Sequence, residues 1–200
     1  MNLPDAPQVD PVHHQTLLNV AQEAIRSALS TGRQRLPDPA GFHPDLLVDT
    51  ATFVTLEDGS RLLGCIGTLE PVRPLAVDVA YEALGAAFAD PRMPAVTAED
   101  FVRMSIKVSV LSRMEPLPAG SHADVASAVR PGVDGLLLEA PGHRSTLLPS
   151  VWPKVVDVSE FLSVLWRKAG MRPGDWPVGT QVSRYVTEEF GHPGPRPFQT

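Results

Sequence analysis

The sequence predicts an α+β fold, a mainly antiparallel sheet with about three main helices. Two pairs of β-rich runs are each joined by a tight-turn signal, which makes their strands antiparallel. Three other segments repeat apolar residues at helical spacing. The 21 prolines, about twice the usual share, stiffen the connections and keep helices few and short.

Residues 1–9 read as a flexible lead. Asp10-Pro11 opens the first helix, with a carboxylate cap and a proline whose missing N–H costs nothing there. Leu17, Leu18, Ala21, Ala24, Ile25 and Ala28 form one face, and Gly32 supplies a left-handed exit. A loop rich in turn residues follows. "ATFVTL" and "RLLGCIGTL" flank an Asp-Gly turn and form the first hairpin. Pro74 opens a second helix that stops at Asp90-Pro91, and Thr97 with Asp100 marks a short capped turn. "MSIKVSVL" alternates as a half-buried strand. Residues 116–131 read as irregular. "GLLLEA" and "RSTLL" around Pro141-Gly142 form a second hairpin. Asp157 and Glu160 start a third helix with Phe161, Leu162, Leu165 and Trp166 inside, closed by Gly170. "VSRYVTEEF" reads as one last strand, and residues 191–200 as a flexible tail.

Bulk properties narrow the class of function. A formal charge of −6 opposes a general phosphate-binding surface, so nucleic acid is disfavoured as a partner. A single cysteine excludes an internal disulfide and a multi-cysteine metal cluster. No apolar run approaches the roughly 20 residues that span a bilayer, and the first residues lack a signal-peptide layout. The expectation is a cytoplasmic protein away from membranes, with no cofactor. His13 and His14 lie together at a helix start with no third ligand at metal spacing, so no metal site is expected there.

Six ordered blocks carry a resemblance. "FVTLEDGSRLLGCIGTLEPVRPLAVDV", "AAFADPRMP", "VSVL", "GVDGLLLE", "STLLPSVW" and "WRKAGMRPGDW" together resemble the AMMECR-one domain family, in its bacterial branch called AmmeMemoRadiSam system protein A. The resemblance implies a single domain over residues 10–190, made of two unequal lobes with a cleft between them. It implies a Memo-type protein and a radical S-adenosylmethionine protein as partners, and a possible small-molecule ligand in the cleft. It implies no assigned reaction. This chain departs from the family pattern at Leu63, where arginine is usual, and at Met93, where phenylalanine is usual.

The candidate site centres on the LGCIG stretch. Strict alternation puts Leu63, Cys65 and Gly67 on one strand face and Leu62, Gly64, Ile66 and Thr68 on the other. Glycines inside a strand mark close approach of a ligand or of another backbone, which makes Gly64, Gly67 and Thr68 candidate cleft residues. Cys65 has three readings: a structural cysteine, a cleft wall or a nucleophile. Leu63 cannot activate the thiol as an arginine could, so help would come from Arg92, Arg144 or the helix start after Pro74. Asp90 and Arg92 read locally as a turn; the resemblance places them on the shared surface near the hexapeptide, where Arg92 could bind a carboxylate or phosphate. His143 and Glu188-Glu189 read as solvated. Three functions follow: an accessory or binding protein of this family, a Cys65-dependent group-transfer enzyme, and a nucleic-acid-associated protein.

Overall fold

A computed structural model describes residues 9–194. The fold is α+β, with two four-stranded sheets where the sequence pattern points to one. The chain divides into two compact units. Among the described residues, one comprises 9–111 with 188–194 and the other 112–187.

In the first unit, Asp10 caps a tight helical turn (Pro11–His13) by accepting the Val12 N–H, and α1 (His14–Thr31) continues from it to Gly32 at φ 66°. Val9, assigned by sequence to the lead, is buried and donates its N–H to Glu188 at 2.9 Å. Strands β1 (Thr52–Asp58) and β2 (Arg61–Gly67) form the first hairpin. Gly59 has φ 61° and, among the described residues, only glycines take positive φ, so the two-residue turn carries its left-handed position where glycine stands. Then come α2 (Leu75–Phe88), α3 (Ala98–Arg103) with a complete Thr97/Asp100 capping box, and β3 (Ser105–Leu111).

The second unit holds β4 (Glu115–Pro116), α4 (His122–Ala128), β5 (Gly135–Ala140), β6 (His143–Leu147), α5 (Val158–Lys168) and β7 (Gln181–Tyr185). Helix α4 falls where the sequence reads as irregular. Ser121 caps it, and Val125 and Val129 bury against the core, enough to hold seven residues that periodicity is too short to mark. The expected last strand splits at Val186. Its first half, β7, pairs β5 and β4, whereas β8 (Thr187–His192) flanks β3 in the other sheet. Gly191 and His192, expected in the tail, therefore belong to a strand; residues 195–200 and 1–8 lie outside the described residues.

The first sheet has the order β2-β1-β3-β8, and β1 runs antiparallel to both β2 and β3. One face carries Val54, Leu56, Ile106, Val108 and Val110 into a core shared with Leu17, Ile25, Val79 and Ala83 of the helices. Eleven of the 14 residues of α2 are buried, so it is a core helix enclosed nearly all round. In the second unit, α5 packs Phe161, Leu162, Leu165 and Trp166 with Leu136, Leu138 and Val182 of the sheet β4-β7-β5-β6. Trp152 stacks on Phe161 at 3.8 Å and donates its indole N–H to the Asp134 carbonyl at 2.8 Å, which fixes the loop after β6.

Candidate functional site

Strict alternation fails in β2. The β1–β2 register shifts between Leu56 and Glu57, so Leu56 faces Gly64 while Glu57 faces Leu62, and Leu63 is the extra residue of a bulge. Leu63 turns into the core instead of sharing the face of Cys65. Gly64 faces α2 so closely that a Cβ there would meet the Ala86 carbonyl oxygen at 1.9 Å. The close approach at Gly64 is thus a helix backbone. At Gly67, the space beside the strand is taken by the Phe53 ring, 2.2 Å from where a Cβ would stand. Thr68 donates its N–H to the Thr52 carbonyl and its hydroxyl to Glu70 in the turn beyond the strand.

Cys65 lies on the face away from the helices, on edge strand β2. Its backbone N–H donates to Asp90 Oδ2 at 2.9 Å, and its carbonyl accepts from Arg92 Nη2 at 3.0 Å. Asp90 and Arg92 close on each other through Nε to Oδ1 at 2.9 Å and Nη2 to Oδ2 at 2.7 Å. The "DPR" turn after α2 therefore supplies the donor and acceptor that a neighbouring strand would offer, and it covers the sheet edge at Cys65. The Arg92 guanidinium, helped by the Cys65 N–H, holds the Asp90 carboxyl well below the usual carboxylate range against the opposing cost of burial. Arg144 belongs to the other unit, in β6, with its Nε 3.1 Å from Glu139.

The side chains along this face form a polar row across the four strands. Thr55 Oγ1 donates to Cys65 Sγ at 3.3 Å. Lys107 stands directly across from Thr55 on β3, and its Nζ lies 3.4 Å from Glu189 on β8. Ser109 Oγ donates to the same glutamate at 3.0 Å. The sequence reading missed Thr55 and Lys107, and took Glu189, which Ser109 and Lys107 engage, for a solvated strand end. The alternation of Ser105, Lys107 and Ser109 was the available signal, but only the register places that polar face beside Cys65. Glu188, read as solvated, accepts from Val9 and meets His14 Nε2 at 2.8 Å. His143, also read as solvated, contacts the Ala169 carbonyl through Nδ1 at 2.8 Å, at the C-terminal end of α5.

Two further groupings carry chemistry. Asp78 is fully buried in α2 and accepts from the Thr52 hydroxyl at 2.7 Å, the Thr52 N–H at 3.1 Å and Arg73 Nη1 at 3.2 Å. One helical turn on, buried Glu82 sees Arg73 only at 3.8 Å. Burial, with the charge of Asp78 added, pushes Glu82 up to about 7. The second grouping is His13, His43 and Asp45, whose potential metal-ligating atoms lie within 4.8 Å of one another. The reading of His13 without a third ligand took distance along the chain for distance in space. A depression of about 460 Å³ lies along α1, lined by Val20, Leu36 and Phe42 among others, and one of about 470 Å³ lies in the second unit beside His143 and Trp176. Cys65 lines neither.

A family model described as AMMECR1 matches residues 18–190. A protein of Methanothermobacter thermautotrophicus is 39% identical over 187 residues, covering 90% of this chain and 94% of that one. A protein of Thermofilum pendens is 33% identical and covers 90% of both. The crystal structure of an uncharacterized protein from Pyrococcus horikoshii matches with a TM-score of 0.82 at 32% identity, covering 90% of this chain and 91% of that one.

Proposed function

The chain belongs to the AMMECR1 family, and we propose that it is a binding or accessory protein whose Cys65 face holds a small ligand for a radical S-adenosylmethionine protein and a Memo-type protein. The partners come from the resemblance to the bacterial branch; the relatives described above are archaeal and carry no functional name. One observation carries the binding reading. The thiol has a single hydrogen-bond partner among the described residues, the hydroxyl of Thr55, which donates to it. The nearby carboxylate of Asp90 is engaged by Arg92 and by the Cys65 N–H. A nucleophilic thiol needs a base or a cation in contact; here a hydroxyl donates to the sulfur, Asp90 and Arg92 bind the backbone of Cys65, and Arg92 adds only a through-space attraction.

A Cys65-dependent transfer enzyme is the second reading, favoured by Lys107 standing next to Thr55 in the same row. Alkylation separates the two, because the chain has one thiol. Under the binding reading, iodoacetamide labels the native protein no faster than the denatured chain, with the same pH profile between about 6 and 9. Faster native labelling that levels off at low pH overturns it in favour of catalysis. The partners are tested by co-purifying the chain with radical S-adenosylmethionine and Memo-type proteins of its own genome. Failure of all three to associate, or to couple to a shared product, refutes the accessory role.

A further inference from the structure

We propose that His13, His43 and Asp45 form a divalent metal site, of the kind that takes Zn2+, which ties the entry of α1 to the turn ahead of β1. His13 ends the tight helical turn Pro11–His13, and His43 and Asp45 flank Pro44, the first residue of a second such turn (Pro44–Leu47). Each ligand-bearing turn is therefore held by a proline at its start, so little backbone freedom is lost when the side chains converge.

The donor atoms of the three side chains converge. Asp45 Oδ2 lies 3.6 Å from His13 Nε2 and 3.3 Å from His43 Nδ1, and the two rings are 4.9 Å apart between centroids. His43 Nδ1 also accepts the Asp45 N–H, at a long 3.4 Å. The same nitrogen thus stands against both the backbone and the carboxylate of Asp45, so the turn holds it next to that carboxylate. Without metal, a proton on each imidazole can serve the carboxylate. A divalent cation serves all three donors together.

The spacing agrees with the ion. Bonds of about 2.0–2.1 Å in tetrahedral geometry set donors roughly 3.3 Å apart, against the two edges of 3.3 and 3.6 Å. The third edge, between the two imidazoles, lies within 4.8 Å, and the His43 side chain that would close it is 58% exposed. Two imidazoles and one carboxylate suit zinc, iron, nickel or copper, whereas magnesium and calcium take oxygen ligands. Three protein ligands leave a fourth position open on the exposed side, for water or for a coordinating group of a ligand. Zinc, which binds imidazole and carboxylate at these bond lengths and has no redox chemistry, is the ion assigned.

Equilibrium dialysis of the full chain, free of any histidine tag and treated with chelator, tests this with Zn2+, and with Mg2+ in parallel. The expected result is one Zn2+ per chain and no Mg2+ at matched concentration. His43→Ala and Asp45→Asn should each weaken Zn2+ binding on the order of 100-fold, while His143→Ala in the other unit leaves it unchanged. Zn2+ should raise the thermal midpoint of the native chain and leave that of His43→Ala where it was. His43 and Asp45 are exposed, so their variants fold, and far-UV circular dichroism confirms it before binding is read. The proposal is overturned by an absence of stoichiometric binding, by equal binding of Mg2+, or by Zn2+ binding that survives His43→Ala and Asp45→Asn.

Discussion

Gly64→Ala is the substitution that most directly probes how the Cys65 strand is held. The new methyl would stand 1.9 Å from the Ala86 carbonyl oxygen and 2.8 Å from its carbonyl carbon. Both are backbone atoms of α2, so no rotamer relieves the clash; the helix must retreat from β2 by about 1 Å or more to regain contact distance. Retreat strains a helix with 11 of its 14 residues buried, which costs about 1–3 kcal/mol. It also pulls Asp90, which follows α2, from the Cys65 N–H, and a hydrogen bond to a charged group contributes roughly 1.5–3 kcal/mol. The expected loss is about 2.5–6 kcal/mol. Urea unfolding followed by far-UV circular dichroism measures it, as a lower midpoint at unchanged slope. All three tryptophans, Trp152, Trp166 and Trp176, lie in the second unit, so fluorescence follows that unit and reports less of the damage. Gly59→Ala is the control. It meets nothing within 4 Å but sits at φ 61°, a left-handed position that costs a side chain about 1–2 kcal/mol. A Gly64→Ala loss no larger than that of Gly59→Ala would refute the crowding argument.

Two further substitutions test the electrostatics. Asp90→Asn keeps the shape and removes the charge that Arg92 and the Cys65 N–H satisfy, and should cost about 2 kcal/mol at neutral pH. Because the carboxyl of Asp90 is held low in the folded state, its contribution is present above the unfolded value of 3.8 and is lost on acidification below it. The difference between wild type and variant should therefore shrink in acid, and amide exchange at Cys65 should quicken in the variant at neutral pH. Glu82 runs the other way. Raised from 4.5 to about 7 by burial, it binds its proton more tightly folded than unfolded, so stability falls as pH rises across that window. Glu82→Gln should abolish that slope and stabilise the protein by up to about 3 kcal/mol above pH 7; an unchanged slope of stability against pH would sink the assignment.

Much of the fold was legible because the signals were local. The Asp-Gly and Pro-Gly turns, the caps at Asp10, Thr97 and Asp157, and the apolar faces of α1 and α5 each depend on residues within a turn or two of one another. What escaped was set by partners far along the chain. Helix α4 is too short for periodicity to show. Asp78 and Glu82 lie in a helix whose burial nearly all round, not visible from one face of apolar residues, makes both carboxylates interior. The strand taken as one divides because its halves pair in different sheets, β7 with β5 and β8 beside β3.

The sequence by itself determined most of the elements, the antiparallel hairpins, the family and the LGCIG stretch with its "DPR" companion as a place to look. Periodicity and turn chemistry carry that much, since they are properties of neighbouring residues. Tertiary structure alone decided which way each group faces. One extra residue, at the bulge of Leu63, turns a side chain from the thiol's face into the core, because side chains in a strand alternate with a period of two. Strand register placed Thr55 opposite Cys65 and Lys107 opposite Thr55, and packing gave the space at Gly64 to α2 and the space at Gly67 to Phe53. A loop fold brought His43 and Asp45 to His13. Contacts across tens of residues are fixed by how buried surfaces fit, and that fit is not written in any single stretch of the chain.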